Sequence, residues 1–361
     1  MTPRIAIACS GLGRVARGNE TWAATLAEGL HKSGGNAILF GSGPRAEARS
    51  PYVRVPCFNR NGWLRKFISW DKAYLWEQIT FARNLRRHLR PDRFDIIHVA
   101  DPNLAQQLIA HARKNSMALI YKDGLFIGPE WCAKFEHVQV LAPYYLEAAH
   151  AQNRNTQGWR VIPHAVDTKA FAPARIKAPS APVVLAVGDF SERGQKRMDW
   201  IIQETAKAKS KPKLLLVGHA TASELEKVRA LAEAKLPGLF EIRTGLDHRA
   251  MPALFQSADL FAHAATREPF GLVFIEAMAC GLPAIGHDFE VTRWIIGDGG
   301  SVIDMTRENA LASEIDQLLS NPEKRAALGM AARSRVENAF SREAILPHYH
   351  AWHREIAAGR K

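Results

Sequence analysis

The sequence has little of what a membrane-spanning, secreted or metal-clustered protein needs. No run approaches 18 consecutive apolar residues, so no segment reads as a spanning helix. The amino terminus turns polar too soon for a secretory leader: Arg4 precedes only Ile5 to Cys9, a stretch that suits a first buried strand. Cysteine is scarce. Its four copies, Cys9, Cys57, Cys132 and Cys280, make no Cys-x-x-Cys pair and have no histidine at zinc-finger spacing, so reduced thiols in a cytosolic protein are expected. Asp-x-Asp is missing too, and with it any evident site for a divalent ion.

What is there is ordinary globular composition, 47% hydrophobic and 23% charged, over 361 residues, a length that predicts two domains. The net charge of +12 is uneven. Residues 1–175 carry 24 Lys+Arg against 13 Asp+Glu, whereas residues 176–361 carry 24 against 23. One half is basic and the other balanced, which suggests different electrostatic duties.

Short apolar runs alternate with longer amphipathic ones, twice over. The first series of expected strands is Ile5–Cys9, Asn36–Phe40, Val53–Pro56, Asp95–Val99, Ala118–Tyr121, His137–Val140 and Arg160–Pro163, with helices such as Glu20–Ser33 and Leu64–Leu89 between them. The second series is Val183–Val187, Leu214–Val217, Phe240–Arg243, Leu260–His263, Ala284–His287 and Ser301–Ile303, and three C-terminal helical segments close the chain, the last being Ser341–Ala358. Continuous apolar strands separated by helices read as βαβ units on parallel sheets. Residues 172–182, APARIKAPSAP, hold three prolines and no apolar period, which is linker chemistry. The expected division is a domain over 1–171, a hinge over 172–182, a second domain over 183–340 and a closing helix over 341–361. Such α/β pairs bind ligands at the carboxyl ends of their strands.

The segment with most chemistry is Arg267–Pro283, REPFGLVFIEAMACGLP, where a strand gives way to a helix opening at Phe270-Gly271. Gly271 lets the amides of Gly271, Leu272 and Val273 approach an anion, and the helix start favours a pyrophosphate. Glu268 stands before the helix, and Glu276 lies about one and a half turns in, where a carboxylate could accept from a ribose diol. The plain alternative is a dipole-stabilising acid and a solvated one.

The surrounding letters decide between these readings. Two glutamates with seven residues between them, Pro-Phe-Gly after the first and Ala-Met-Ala-Cys-Gly-Leu-Pro after the second, resemble the signature of family 4 glycosyltransferases. Four further stretches resemble that family in order: Gly18-Asn19-Glu20, DIIHVADPN at 95–103, PHAVDTKAFAP at 163–173 and GLDHRAMPALFQSAD at 245–259. The resemblance implies a GT-B fold, α/β, in which two doubly wound Rossmann-like domains face each other across a cleft and a C-terminal helix packs back on the N-terminal domain. It implies a retaining, metal-independent transfer from a nucleotide-diphosphate sugar as co-substrate, without a further cofactor, to a glycan, lipid-linked or small-molecule acceptor. The implied catalytic residues are Glu268, on donor-sugar hydroxyls, with Lys196 and Arg193. The implied donor-binding residues are Glu276, Phe270, Gly271, Leu272, Val273, Gly188, Gly11 and Gly13. On the acceptor side stand His98, Asp101, Asn103 and Glu20, although a lone histidine ending a buried strand equally suits the core.

The departures from that family pattern matter. Asp189 stands where the family has an arginine that grips diphosphate, and Arg193 is the candidate replacement. Ala100 replaces a frequent second histidine, His164-Ala165 an Asn-Gly, and Asp288-Phe289-Glu290 a glycine pair. A catalytically silent relative, or an epimerase or phosphorylase of the same fold, therefore stays open. The glycines of SGLGRVA at 10–16 mimic a dinucleotide fingerprint, but the second strand ends without the acid that site needs. Nucleic-acid binding rests on the basic charge alone, with no motif behind it.

One segment remains. Residues 59–91 hold 8 Lys+Arg, 2 Asp+Glu and six aromatics: Trp63, Phe67, Trp70, Tyr74, Trp76 and Phe81. They read as an ordinary amphipathic helix with a core face, as contact with an anionic membrane from the cytoplasmic side, or as a site for a polyanionic glycan.

Overall fold

Apolar runs that continue without alternation need cover on both faces, and here they form two all-parallel sheets. The computed structural model describes residues 2–15, 18–44, 50–174, 181–191 and 195–359. In the first sheet the strands are β1 (Arg4–Ala8), β2 (Asn36–Gly41), β3 (Tyr52–Arg54), β4 (Ile96–Val99), β5 (Ala118–Lys122), β6 (His137–Val140) and β7 (Trp159–Val161). Their order is β3-β2-β1-β4-β5-β6-β7, with Ile5 in register with both Ala37 and Ile96. The helices are α1 (Gly18–Lys32), α2 (Trp70–Leu85), α3 (Pro102–Lys114), α4 (Pro129–Cys132) and α5 (Pro143–Ala151).

The second sheet holds β8 (Val183–Asp189), β9 (Lys213–His219), β10 (Phe240–Thr244), β11 (Leu260–His263), β12 (Ala284–His287) and β13 (Gly300–Ile303), ordered β10-β9-β8-β11-β12-β13. Its helices are α6 (Met198–Lys207), α7 (Ala222–Lys235), α8 (Met251–Ser257), α9 (Leu272–Ala279), α10 (Glu290–Ile296), α11 (Ala310–Leu319) and α12 (Pro322–Ala339); α13 (Arg342–Ala358) ends the chain. Two helices follow α11, not three, because α12 runs unbroken over 18 residues. The short α4 and α10 were not legible as separate helices.

The chain divides into one unit of Met1–Ala165 with Glu343–Lys361 and another of Val166–Arg342. In the first, α13 lays Ile345, Tyr349, Trp352 and Ile356 into the same core as Ile7, Leu26, Leu39 and Ile96. Tyr349 accepts from Trp22 Nε1 at 3.0 Å and from Gln139 Nε2 at 2.7 Å, so the closing helix is also tied by hydrogen bonds. The second unit has its own core around Val184, Ile201, Leu214, Leu260 and Ile315. Of the expected hinge 172–182, residues 175–180 lie outside the described residues, and the rest carry neither helix nor strand.

The helix expected over Leu64–Leu89 is interrupted. A 3-10 turn, Trp63–Phe67, precedes α2, and Ser69 caps α2 by accepting from Lys72 N at 3.4 Å. In each sheet the connections run in opposite directions from the first strand: β1 lies between β2 and β4, and β8 between β9 and β11. A crevice opens at such a point beyond the carboxyl ends of the strands, and ligands of doubly wound sheets bind there.

Candidate functional site

In the second unit the carboxyl ends of β8 and β11 bring three charged or polar side chains together. Glu268, 7% exposed, takes Lys196 Nζ and His263 Nε2 on the same oxygen, the histidine at 2.9 Å. Burial alone would raise this carboxyl. The hydrogen bond from His263 and the charge of Lys196 overcome it and hold Glu268 down at about 2. His263 is itself fully buried, which lowers its tendency to protonate, and it lies edge-on to Phe274. A neutral imidazole donating from Nε2 to an ionised carboxylate follows.

Two glycines make this geometry possible. A Cβ on Gly188 would lie 2.8 Å from Lys196 Cγ, so the lysine stem crosses β8 only over a bare backbone. Gly271 has φ +82°, and a Cβ there would come within 2.9 Å of Glu268 Cγ and 2.7 Å of Phe274. The start of α9 therefore sits against Glu268, with the amides of Leu272 and Val273 left without partners inside the helix. Phe270 is buried against Trp294 and Phe340, so its ring belongs to the packing behind the start of α9.

Glu276, four residues into α9 from Leu272, is buried and bonded to His248 Nε2 at 2.8 Å. That hydrogen bond raises the pKa of His248. Sequence reading missed both His248 and His263, although each lay in a stretch already singled out. Asp189 turns its carboxylate onto the amide of Ser191 at 2.9 Å. Arg193 lies outside the described residues. Arg197 is engaged in structure, bonding Met305 O at 2.9 Å and lying over Trp200.

The first unit gathers a second polar cluster at the carboxyl ends of β1, β4 and β5. Asp101 accepts from the Ser10 amide at 2.7 Å and from Tyr74 Oη at 3.3 Å. Arg60, only 5% exposed, bonds Glu20 at 3.3 Å and pairs with Glu77 at 3.5 Å. Lys122, wholly buried, bonds Asn19 Oδ1 at 3.0 Å and lies over the Trp22 ring, and burial brings its ammonium down to about 8. A Cβ on Gly11 would lie 2.2 Å from Glu20 Oε1, so what requires glycine there is the Glu20–Arg60 pair. Gly13, with φ +80°, is pressed against Gly43 and Pro44 backbone instead.

Of the expected acceptor-side residues, Asp101 and Glu20 belong to this cluster. The Asn103 backbone N–H donates to Gln78 Oε1 at 2.9 Å at the start of α3. His98 is fully buried among Trp22, Tyr349, Trp352 and His353, in the core beneath α13. Arg60, Tyr74, Glu77 and Lys122 were not foreseen. The one signal was a lysine ending an apolar strand, ALIYK. Among the described residues, no group of three or more His, Cys, Asp and Glu is arranged to hold a metal ion.

With this geometry in place, the likenesses to known proteins become informative. Residues 168–335 match the protein family described as glycosyl transferases group 1. The D-inositol 3-phosphate glycosyltransferase of Segniliparus rotundus is 29% identical over 54% of this chain and 47% of its own length. The GDP-mannose-dependent monoacylated alpha-(1-6)-phosphatidylinositol monomannoside mannosyltransferase of Corynebacterium glutamicum is 28% identical over 50% of this chain and 52% of its own. The chain thus spans about half the length of these relatives. The solved sucrose-phosphate synthase of Thermosynechococcus elongatus superposes with a TM-score of 0.83 and 21% identity, over 99% of this chain and 100% of that one. The shared architecture is the GT-B fold.

Proposed function

We propose, from a chain that carries a group 1 glycosyltransferase domain on a GT-B fold, that it moves a sugar from a nucleotide-diphosphate donor to a hydroxyl of a glycan, lipid-linked or small-molecule acceptor. The observation that carries this reading is Glu268 held ionised by Lys196 and His263 against the opening of α9. Lys196 is paired with Glu268, and an arriving diphosphate offers its ammonium a second anion. Lys196 and the first amides of α9 then neutralise the charge that builds on the leaving oxygen, preorganised and without a metal. Glu268 accepts from hydroxyls of the donor sugar, and Glu276 from the ribose.

Transfer with retention follows from attack on the leaving-group side. The acceptor oxygen bonds to the anomeric carbon as the bond from that carbon to the diphosphate breaks, and the acceptor proton passes to the departing diphosphate. The Asp101 and Glu20 cluster of the first unit supplies acceptors for the incoming polyol, with Lys122 beside it. The Corynebacterium glutamicum relative is named for action on a phosphatidylinositol monomannoside, which favours a lipid-linked sugar as acceptor.

The test is calorimetric titration of UDP-, GDP- and ADP-sugars, with nucleotide release followed in parallel. Glu276→Ala should weaken donor binding about tenfold or more, and Glu268→Ala should mainly lower turnover. Unchanged constants in either variant remove the role given to that residue. Donor binding without release in any acceptor mixture favours the silent reading that Asp189 keeps open.

A further inference from the structure

The segment 59–91 does not spend its aromatics in one place. Phe81 is wholly buried, and Tyr74 turns inward to Asp101. Trp63 is 73% exposed, Phe67 75% and Trp76 55%. On α2 the outward residues Lys72, Leu75, Trp76, Ile79 and Arg83 fall within one arc of about 100°, while Ala73, Glu77, Phe81 and Leu85 bury the opposite side. The same helix thus carries the polar cluster inside and an apolar stripe, with a cation at each end, outside.

The 3-10 turn before it adds Trp63 and Phe67, 6.2 Å apart, with exposed Lys66 between them. Asp71 is the sole exposed acid of residues 59–91. This turn follows β3, and Leu125 and Ile127, both exposed, follow β5, so both apolar groups leave the carboxyl edge of the first sheet. That is the edge where the Asp101 cluster lies.

We propose that the outer face of α2 and the Trp63–Phe67 turn form a docking surface for an anionic lipid bilayer, laid against the carboxyl edge of the first unit. Aromatic side chains seat at the depth of the headgroups, and the flanking Lys66, Lys72 and Arg83 meet the negative surface charge. An apolar patch rimmed by cations is costly to leave in water, and the exposed aliphatic Leu75 and Ile79 among its rings favour acyl chains over a soluble polyanion, which binds through cations and stacked rings. The inference stands apart from the transferase reading, since docking is measured without any sugar donor.

The experiment is flotation of the full chain with vesicles of phosphatidylcholine alone and of phosphatidylcholine with about one third phosphatidylglycerol, at low and high salt. Binding should appear on the anionic vesicles, fall several-fold as salt rises, and blue-shift the tryptophan emission. The triple variant Trp63→Ser/Phe67→Ser/Trp76→Ser should keep the wild-type circular dichroism and melting temperature, since these side chains are exposed, and lose at least tenfold in partitioning. Lys72→Glu/Arg83→Glu should lose binding while keeping the fold. Binding absent from anionic vesicles, or equal on both vesicle types, overturns the proposal. So does a triple variant that binds as the wild type does. A concentration-dependent dimer that the triple variant abolishes, or retention by a soluble polyanion that it leaves intact, assigns the face elsewhere and overturns it as well.

Discussion

A carboxylate as buried as Glu268 would ordinarily take up a proton, and two donors on one oxygen are what prevent it. The consequence is measurable. Its folded pKa of about 2 lies below the ordinary value of 4.5, so its pairing stabilises the fold above pH 4.5 and is lost as pH falls towards 2. The difference corresponds to about 3 kcal/mol. Urea midpoints taken from pH 6 down to 3 should therefore fall more steeply for the wild type than for Glu268→Gln; parallel curves would show that the pairing contributes nothing. Lys122 works in the opposite direction. Burial lowers it from 10.5 to about 8, so its charge costs stability below pH 8, and stability returns as pH climbs from 8 towards 10.5, where only the unfolded chain keeps the proton. Lys122→Met, similar in length and uncharged, should be more stable at pH 7 by about 2 kcal/mol. On the proposed reading that the cluster of Asp101, Glu20 and Lys122 meets the acceptor, turnover should fall at least about tenfold in the same variant. A Met variant that is stabilised and fully active would make Lys122 an accident of packing.

At the scale of the element, the opening of α9 depends on one residue without a side chain. Gly271→Ala must hold φ near +82° and place a methyl against both Phe274 and Glu268, whereas Gly245→Ala, at φ +68°, meets nothing within 4 Å. The second should cost about 1 kcal/mol from backbone strain alone, and the first about 2 to 3 with a large loss of turnover, because Glu268 has to move. Thermal melts of both variants, with nucleotide release for each, make the comparison; equal losses would mean that the close approach is relieved elsewhere. Elements of this kind divide cleanly into those the sequence discloses and those it hides. All thirteen strands among the described residues were legible, most clearly where cover on both faces makes a continuous apolar run such as LLLV in β9 or LFA in β11. Glu268, Gly271 and Glu276 were legible because they lie within one short stretch around a helix start. The break between Phe67 and Trp70 was not, because Ser69 caps a helix inside an aromatic run that continues the helical period across it. Arg60, Glu77 and Lys122 were hidden for another reason. They come from a loop, from α2 and from the end of β5, and only the fold at the carboxyl ends of β1, β4 and β5 brings their charges together.

At the scale of the molecule, the chain leaves its first unit at Ala165 and returns to it at Glu343, so the second unit is an insertion with both ends close to one another. Val166 donates to Phe340 O at 2.9 Å and Arg342 to Val166 O at 3.2 Å, and Arg342 pairs with Asp167 at 2.8 Å, which closes that unit on itself. Its core takes nothing from α13. The first unit is in the reverse position. Residues 1–165 lack Ile345, Tyr349, Trp352 and Ile356, each 5% exposed or less in the intact chain. At roughly 1.5 to 3 kcal/mol for each large apolar side chain, their removal forfeits on the order of 6 to 12 kcal/mol, as much as a whole domain usually has. It also leaves Trp22 Nε1 and Gln139 without the Tyr349 hydroxyl that joins them. Excised Val166–Arg342 should therefore fold cooperatively and bind nucleotide. Residues 1–165 expressed alone should be insoluble or molten, and joining them to 343–361 through a short flexible linker in place of the second unit should restore a cooperative melt. Calorimetry of the three chains decides it: a cooperative melt from 1–165 alone would show that the closing helix is an accessory to the first core and not part of it.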